Sequence, residues 1–488
     1  MKSYIDLHNS LRVKYLIMRS FIVVCVCALA SVFASSAVSK PAEILTQEML
    51  DMAKETFLVK KDYTLMGKTL VIPDGLCLRF VGGRFDNGEL CGTNSRIEVI
   101  GRSPVFGLDV KISGIWKVPE VHDGWFEFDD SPDFISNQLI NNILAFSNDS
   151  TQCHIFFEED RTYYFELPYK GRADLGNLVS YRMVDGKKKR KYSELLYDEY
   201  SYLRIFTIPS HTHVTINNTL KMLPTNQGAY FVFWEYGKED ITIDGVGTIA
   251  GDNDWHRYDS PFLGKSYYGE WGHIFKCLRC KDFTFKDITL SDSFGDCLVY
   301  FGSYYPDEPN SRWASNLTLD NVKILRARRN GVAVGARHVR ITNCHFEGCG
   351  TSEVKGTAPR SAIDFEPDNV RTFPAIGNRD VIMEDCTFVG NYYDVASSVN
   401  NLPGYGKVAT IVRNCHFTSR LRLRATYWMR FENCYIPFLF KPQDNKPYIA
   451  KHLEFLKCEF GEDKTTVLGL FNLKMNKFIE CRFNTSKQ

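Results

Sequence analysis

One short pattern recurs along the second half of this chain and restricts what it can fold into. A β-branched or aromatic run ends in Asn, Asp, Glu or Lys, followed by Cys, one residue, and an aromatic or aliphatic residue. The copies are Asn343-Cys-His-Phe346, Asp385-Cys-Thr-Phe388, Asn414-Cys-His-Phe417, Asn433-Cys-Tyr-Ile436, Lys457-Cys-Glu-Phe460 and Glu480-Cys-Arg-Phe483. Self-similarity at such spacing marks a stacked array in which each repeat buries its apolar face only against its neighbours. The cysteine intervals are 42, 29, 19, 24 and 23 residues. The last three match one coil of a parallel β-helix each. The 42 reads as two coils with a loop between.

Strand geometry gives the repeat a physical meaning. Stacked parallel strands lie about 4.8 Å apart, so equivalent residues form columns. A small Cys and an inward aromatic would fill the same slot in every layer, which predicts a ladder of inward thiols, with disulfides between coils as the alternative that the spacing allows. Earlier runs lack the Cys but keep the strands: Asp240-Ile-Thr-Ile-Asp244, Phe283-Thr-Phe-Lys-Asp-Ile-Thr-Leu290 and Asn316-Leu-Thr-Leu-Asp-Asn-Val-Lys-Ile324. They alternate apolar and polar residues and end on turn formers. Cys277 and Cys280 form a lone C-x-x-C without a second pair at zinc-ligand spacing. The expected class is all-β, a right-handed parallel β-helix. One amphipathic stretch over 132–146, apolar at Ile135, Leu139, Ile140 and Ile143, predicts a short helix that closes the open end of the stack.

The chain has 488 residues and a formal charge of +1, so no global field points to nucleic acid or an anionic surface. Aromatics make up 14%, which suits β structure and sugar-binding surfaces alike. Arg19, an apolar run over 21–33 and Ala34-Ser-Ser-Ala37 follow the order of a secretory signal. The run is shorter than an ordinary membrane span. Met18 is an alternative start, and Cys25 or Cys27 could carry a lipid anchor. The expected layout is a signal over 1–37, a β-rich cap with the helix over 41–160, and the β-helix over 161–488, in an exported protein. The basic run Lys187-Lys-Lys-Arg-Lys191 reads as a solvated loop.

These motifs resemble the pectate-lyase superfamily, the β-helix proteins of gut bacteria and phage tailspikes. Leu70-Val-Ile-Pro-Asp-Gly75 with Phe80-Val-Gly-Gly-Arg-Phe-Asp-Asn-Gly88 is similar to their N-terminal cap, and Trp125-Phe126 with Asp129-Asp130 to the entry into the coil. Downstream come Gly247-Thr-Ile-Ala-Gly-Asp252, His256, Gly269-Glu-Trp-Gly272, Gly295-Asp-Cys297, Arg328-Arg-Asn-Gly331, Gly356-Thr-Ala-Pro359 and Ala362-Ile-Asp-Phe-Glu-Pro367. The resemblance covers most of the chain and implies a polysaccharide substrate without fixing the reaction.

Stacking three runs, Cys297-Leu-Val-Tyr-Phe301, Gly331-Val-Ala-Val-Gly335 and Ala362-Ile-Asp-Phe-Glu366, turns the motifs into a candidate site. Period two puts Ile363 and Phe365 inside and Asp364 and Glu366 outside on one face. Asp296 and Arg329 precede the neighbouring strands and project to the same edge. These four are the candidate catalytic residues; His256, Glu270, Trp271, Arg328, Arg360 and Tyr393 are the candidate substrate contacts. His338 reads as a turn residue. Elimination from an acidic polysaccharide needs a cation on the uronate carboxylate, from arginine or from Ca²⁺ held by Asp364 and Glu366, and a base. His256 or Tyr393 could move that proton. Hydrolysis needs two carboxylates across the glycosidic bond. The arginines around the acids favour elimination, with polygalacturonase-like hydrolysis and a non-catalytic adhesive as alternatives.

Overall fold

The computed structural model describes residues 42–485 apart from 102–103, 132, 169–180, 185–186, 191–202, 259–270, 303–313, 355, 367–377, 398–405, 424–425 and 442–449. The expected signal segment and the lipid-anchor cysteines lie outside these residues. Contacts divide the chain into a unit over 1–44, of which three residues are described, and a unit over 45–488. The second unit is a right-handed parallel β-helix.

Three sheets run along its body. A front sheet has nine strands, a long sheet twelve, and a short sheet seven, with three further strands continuing that side at the C-terminal end. All neighbouring strands in these sheets pair in parallel, each with its counterpart one coil away. Thus Thr212–Ile216 pairs with Glu239–Asp244, and that strand with Lys281–Lys286. The strands at the N-terminal end, such as Thr56–Val59, Cys77–Phe80 and Phe85–Val99, also pair in parallel. The helix covers Asn137–Leu144 and buries Leu139, Ile140, Ile143 and Leu144. Ile140 and Leu144 face the same interior void as Val214, Ile243 and Phe275, so the helix closes the stack at that end.

The coil length differs from the sequence expectation at one place. Arg337–Thr342 pairs directly with Arg379–Glu384, so the 42-residue interval is one coil with extended loops. Cysteine spacing counts residues and is blind to where a loop leaves the coil. The basic run was also misread: Lys187–Arg190 is a strand, paired antiparallel with Tyr181–Val184.

The repeat motif is explained by a corner. The residue before each cysteine, from Asn343, Asp385, Asn414 and Asn433 to Lys457 and Glu480, has φ between 51° and 56°. Asn and Asp tolerate that left-handed conformation best among residues with a side chain. The following cysteine turns inward. The thiols of Cys344, Cys386, Cys434 and Cys458 each have two carbonyl acceptors within 3.2–3.7 Å for their one proton, one two residues back and one on the preceding coil. All thirteen described cysteines are free. Contact with the preceding thiol raises the pKa of Cys386, Cys415 and Cys434 well above the ordinary range, which keeps them protonated. Beside the thiols the aromatics form a second ladder: Phe346 stacks on Phe388 at 5.0 Å, and Phe388 meets Phe417 at a tilt, 4.8 Å away. A second left-handed corner holds Asp282, Asn316, His338 and Asp380. His338 is not the turn residue the sequence suggested: it lies in the strand Arg337–Thr342, at a left-handed kink, and its Nδ1 lies 2.7 Å from Asp380 Oδ2.

Candidate functional site

The front sheet aligns Lys276, Val299, Ala333, Asp364, Ala396 and Arg422 in one column. The preceding column, Phe275, Leu298, Val332, Ile363, Val395 and Leu421, is core. Alternation therefore turns Asp364 outward, between two alanines. The small neighbours leave a slot, and the carboxyl fills it.

Asp364 is nonetheless 0% exposed, and neither of its oxygens receives a hydrogen bond from a protein donor. Burial raises its pKa well above the carboxylate range, and the charge and contact of Glu366 raise it further. A buried acid without donors, against a second acid, keeps a proton. Glu366 is the partner that reaches solvent, with 37% of its side chain exposed.

Asp296 lies in the turn that enters Leu298–Phe301 and is also buried. Arg329 Nη1 donates to its Oδ2 at 2.6 Å, and the Asn330 backbone N–H to its Oδ1 at 2.9 Å. Burial pushes the Asp296 pKa up to about 6, with Arg329 and the Asn330 N–H opposing. Arg329 Nη2 is 3.8 Å from Glu366 Oε2, so this guanidinium joins the two acids. Asn330 Oδ1 in turn accepts from the Ser361 N–H at 3.0 Å, which fixes the turn against the strand that carries Asp364.

Two residues that sequence reasoning missed complete the cluster. His273 is buried, and its Nδ1 accepts from the Asp296 N–H at 3.1 Å. Burial, Lys276 and Arg329 hold its pKa well below the ordinary value, so the ring is neutral with its proton on Nε2. Lys276 Nζ sits 5.2 Å from the Trp271 ring centre and 5.7 Å from that of Phe301. The signal was present: extending the column of Asp364 back by three strands reaches Lys276.

The remaining candidates scatter. Trp271 adjoins the cluster through Lys276. Arg328 is fully buried; its Nε donates to the Phe294 carbonyl at 2.7 Å and its guanidinium lies 3.7 Å from that ring centre. His256 stacks on the same ring at 3.7 Å, with Nδ1 2.8 Å from Asp252 Oδ2. Asp252 is held in place by the Tyr230 hydroxyl at 2.6 Å and the Thr225 N–H at 2.9 Å, so His256 belongs to a packed network beside the acids, not among them. Arg360 stacks on Tyr392 at 3.6 Å, and Tyr393 packs edge-on to Tyr392 and Phe440. Glu270 lies outside the described residues.

The calcium reading has Asp364 and Glu366 as its two carboxylate ligands. Among the described residues no group of three or more His, Cys, Asp or Glu is placed to hold a metal.

No family model matches the chain. It is 30% identical over 188 residues to the uncharacterized protein YclG of Bacillus subtilis strain 168, covering 38% of this chain and 31% of that one. The chain thus matches about a third of that relative's length. Among solved structures it is similar to the Streptococcus pneumoniae surface protein and adhesin PfbA, at 12% identity, 90% and 95% coverage and a TM-score of 0.36. The catalytic unit of an α-1,3-glucanase from Streptomyces thermodiastaticus gives 10%, 92%, 69% and 0.32. A tailspike protein of E. coli bacteriophage HK620, in complex with a pentasaccharide, gives 11%, 75%, 72% and 0.33. Likenesses this loose carry nothing about chemistry.

Proposed function

We propose that this β-helix hydrolyses glycosidic bonds at the cluster of Asp296, Asp364 and Glu366. The observation that carries this reading is the buried, donor-less Asp364 behind the half-exposed Glu366. Acid catalysis near neutral pH needs a carboxyl that still holds its proton, and a second carboxylate in a different environment. Glu366 is the group that can touch a glycosidic oxygen. Asp364, which burial keeps protonated, lies in contact with Glu366 as a positioning residue. Asp296, ion-paired to Arg329, supplies the second carboxylate, which can activate water or meet the anomeric carbon.

Elimination is less well supported than the sequence alone indicated. It needs a cation at the reacting uronate carboxylate. Arg329 is engaged by Asp296, and Arg328 is buried against Phe294. We also place the activity outside the cytoplasm, on the signal-like order of Arg19, the apolar run and Ala34-Ser-Ser-Ala37.

Product analysis on a panel of plant and bacterial polysaccharides tests the reaction. Hydrolysis releases reducing ends without ultraviolet absorbance from a new double bond; a rise in that absorbance means elimination instead. Glu366→Gln should lower turnover by about 10²–10⁴-fold, the usual weight of a general acid. Unchanged turnover in that variant overturns the assignment. Binding without product from any polysaccharide favours the adhesive reading.

A further inference from the structure

Most arginines on the coil surface are answered by a carboxylate on a neighbouring coil. Arg326 pairs with Asp292, Arg340 with Asp380, Arg413 with Glu384, Arg430 with Glu454 and Arg482 with Glu459. The front sheet beyond Asp364 breaks this habit. Arg422 follows Asp364 and Ala396 in the same outward column. Arg420 lies on the same strand, on either side of the core residue Leu421, so both arginines face out. Arg360 stands at the entry to the Asp364 strand with φ +60°. Among the described residues none of these three has a carboxylate partner, in a chain whose net charge is only +1.

Aromatic faces are interleaved with them. Tyr392 is 40% exposed under Arg360, and Phe438 is 52% exposed and pairs in register with Arg420. Arg420 pairs in register with Tyr393 on its other side, so the arginine strand lies directly beside the strand that carries this tyrosine. Two strand steps separate Arg422 from Asp364, about 10 Å along the sheet, a distance a short run of sugar residues can span.

We propose that Arg360, Arg420 and Arg422 form an anion subsite that seats the carboxylate of a uronic-acid residue, next to the point of cleavage on the same glycan. Planar guanidinium forks match a carboxylate in two-point contact, and the exposed faces of Tyr392 and Phe438 suit the apolar side of a sugar ring. The mixture argues for an acidic sugar over a bare inorganic anion, which would leave the rings unused. This inference rests on the glycosidase reading and adds the substrate class. The subsite's carboxylate belongs to a sugar beside the reacting one, so it needs no elimination chemistry.

Calorimetric titration of the full chain tests it, with galacturonate and glucuronate oligomers, their carboxyl-reduced forms, and two salt concentrations. At least one acidic oligomer should bind, and reducing its carboxyls should weaken binding tenfold or more. The double variant Arg420→Ala, Arg422→Ala should lose about tenfold or more for the acidic oligomer, as expected when charge-assisted hydrogen bonds are removed. The corresponding double lysine variant should recover part of that loss, and Arg79→Ala, far away, none should be lost. In turnover the loss should sit in KM. Equal binding of acidic and reduced oligomers, binding unaffected by the double alanine variant, or binding of neither acidic oligomer each overturns the proposal. Arginine-dependent binding without cleavage leaves the subsite standing and removes the hydrolase reading. Cleavage of neutral glycans indifferent to the arginines does the reverse.

Discussion

Two columns in this molecule are built by the same stacking rule and differ in how their polar atoms are satisfied. On the inner wall, the thiols of Cys344, Cys386, Cys434 and Cys458 each find backbone carbonyls on their own and the preceding coil. On the outer wall, Asp364 occupies one place between Ala333 and Ala396, and its oxygens find no donor. Both are buried. The first column is a finished structure whose protons are locked in place. The second is held short of satisfaction, and an acid kept in that state is available for work. Burial alone does not separate structural from functional polar groups; the accounting of their partners does.

The largest expected effect breaks that contrast at Asp364 itself. Asp364→Ala makes a run of three alanines in the column. Turnover should fall by about 10²–10⁴-fold while the chain becomes more stable by about 1–3 kcal/mol at pH 7–8, because an unsatisfied buried group is removed. A combined activity assay and chemical denaturation reads both, and a loss of stability would mean that Asp364 is structural. On the inner column the sign reverses. Phe388→Ala opens a gap between Phe346 and Phe417 and should cost about 3–5 kcal/mol in denaturant unfolding. A cost below 1 kcal/mol would show that the ladder is loosely packed.

A third acid sharpens the comparison. Glu235 sits at the level of Cys277, fully buried, yet accepts from the Ile208 N–H at 2.8 Å and the Thr207 hydroxyl at 3.0 Å. Burial still raises its pKa to about 8 from 4.5. A carboxyl raised in this way takes up a proton on folding, so its contribution is full below pH 4.5 and is lost as pH rises through about 8. The melting temperature should therefore decline across that window, and Glu235→Gln should flatten the decline. An unchanged slope would show that the other raised acids, Asp123, Asp296, Asp364 and Asp394, carry it. The smallest effect lies at the corners. Lys457 adopts φ +53° where the four preceding copies of the motif use Asn or Asp, so Lys457→Asn should stabilise by about 0.5–1 kcal/mol in thermal unfolding. No change would mean that the corner is set by the sheet alone.

Much of this was legible in the chain. The Cys-x-Phe motif named the inner column, and alternation in Ala362-Ile-Asp-Phe-Glu366 fixed which acids face out. Period-two geometry is local, so a few residues reveal it. What stayed hidden was non-local. That Asp364 and Asp296 are buried, that Arg329 is engaged, and that a 42-residue interval is a single coil all depend on what other coils contribute. His273 and Lys276 were overlooked because Trp271–Leu278 reads as an apolar run, and only the column assigns its polar members a place.

The uneven coils have a consequence for how such a chain can change over generations. Rungs repeat at a fixed pitch whether the coil takes 19 residues or 42, because the surplus leaves at the corners and returns. Lengthening a loop costs only slowly growing closure entropy. Mutation can therefore rebuild the margins of the acid cluster, one insertion at a time, without shifting any residue of the rungs beneath. Heritable variation in what the surface meets is uncoupled from the inheritance of the scaffold.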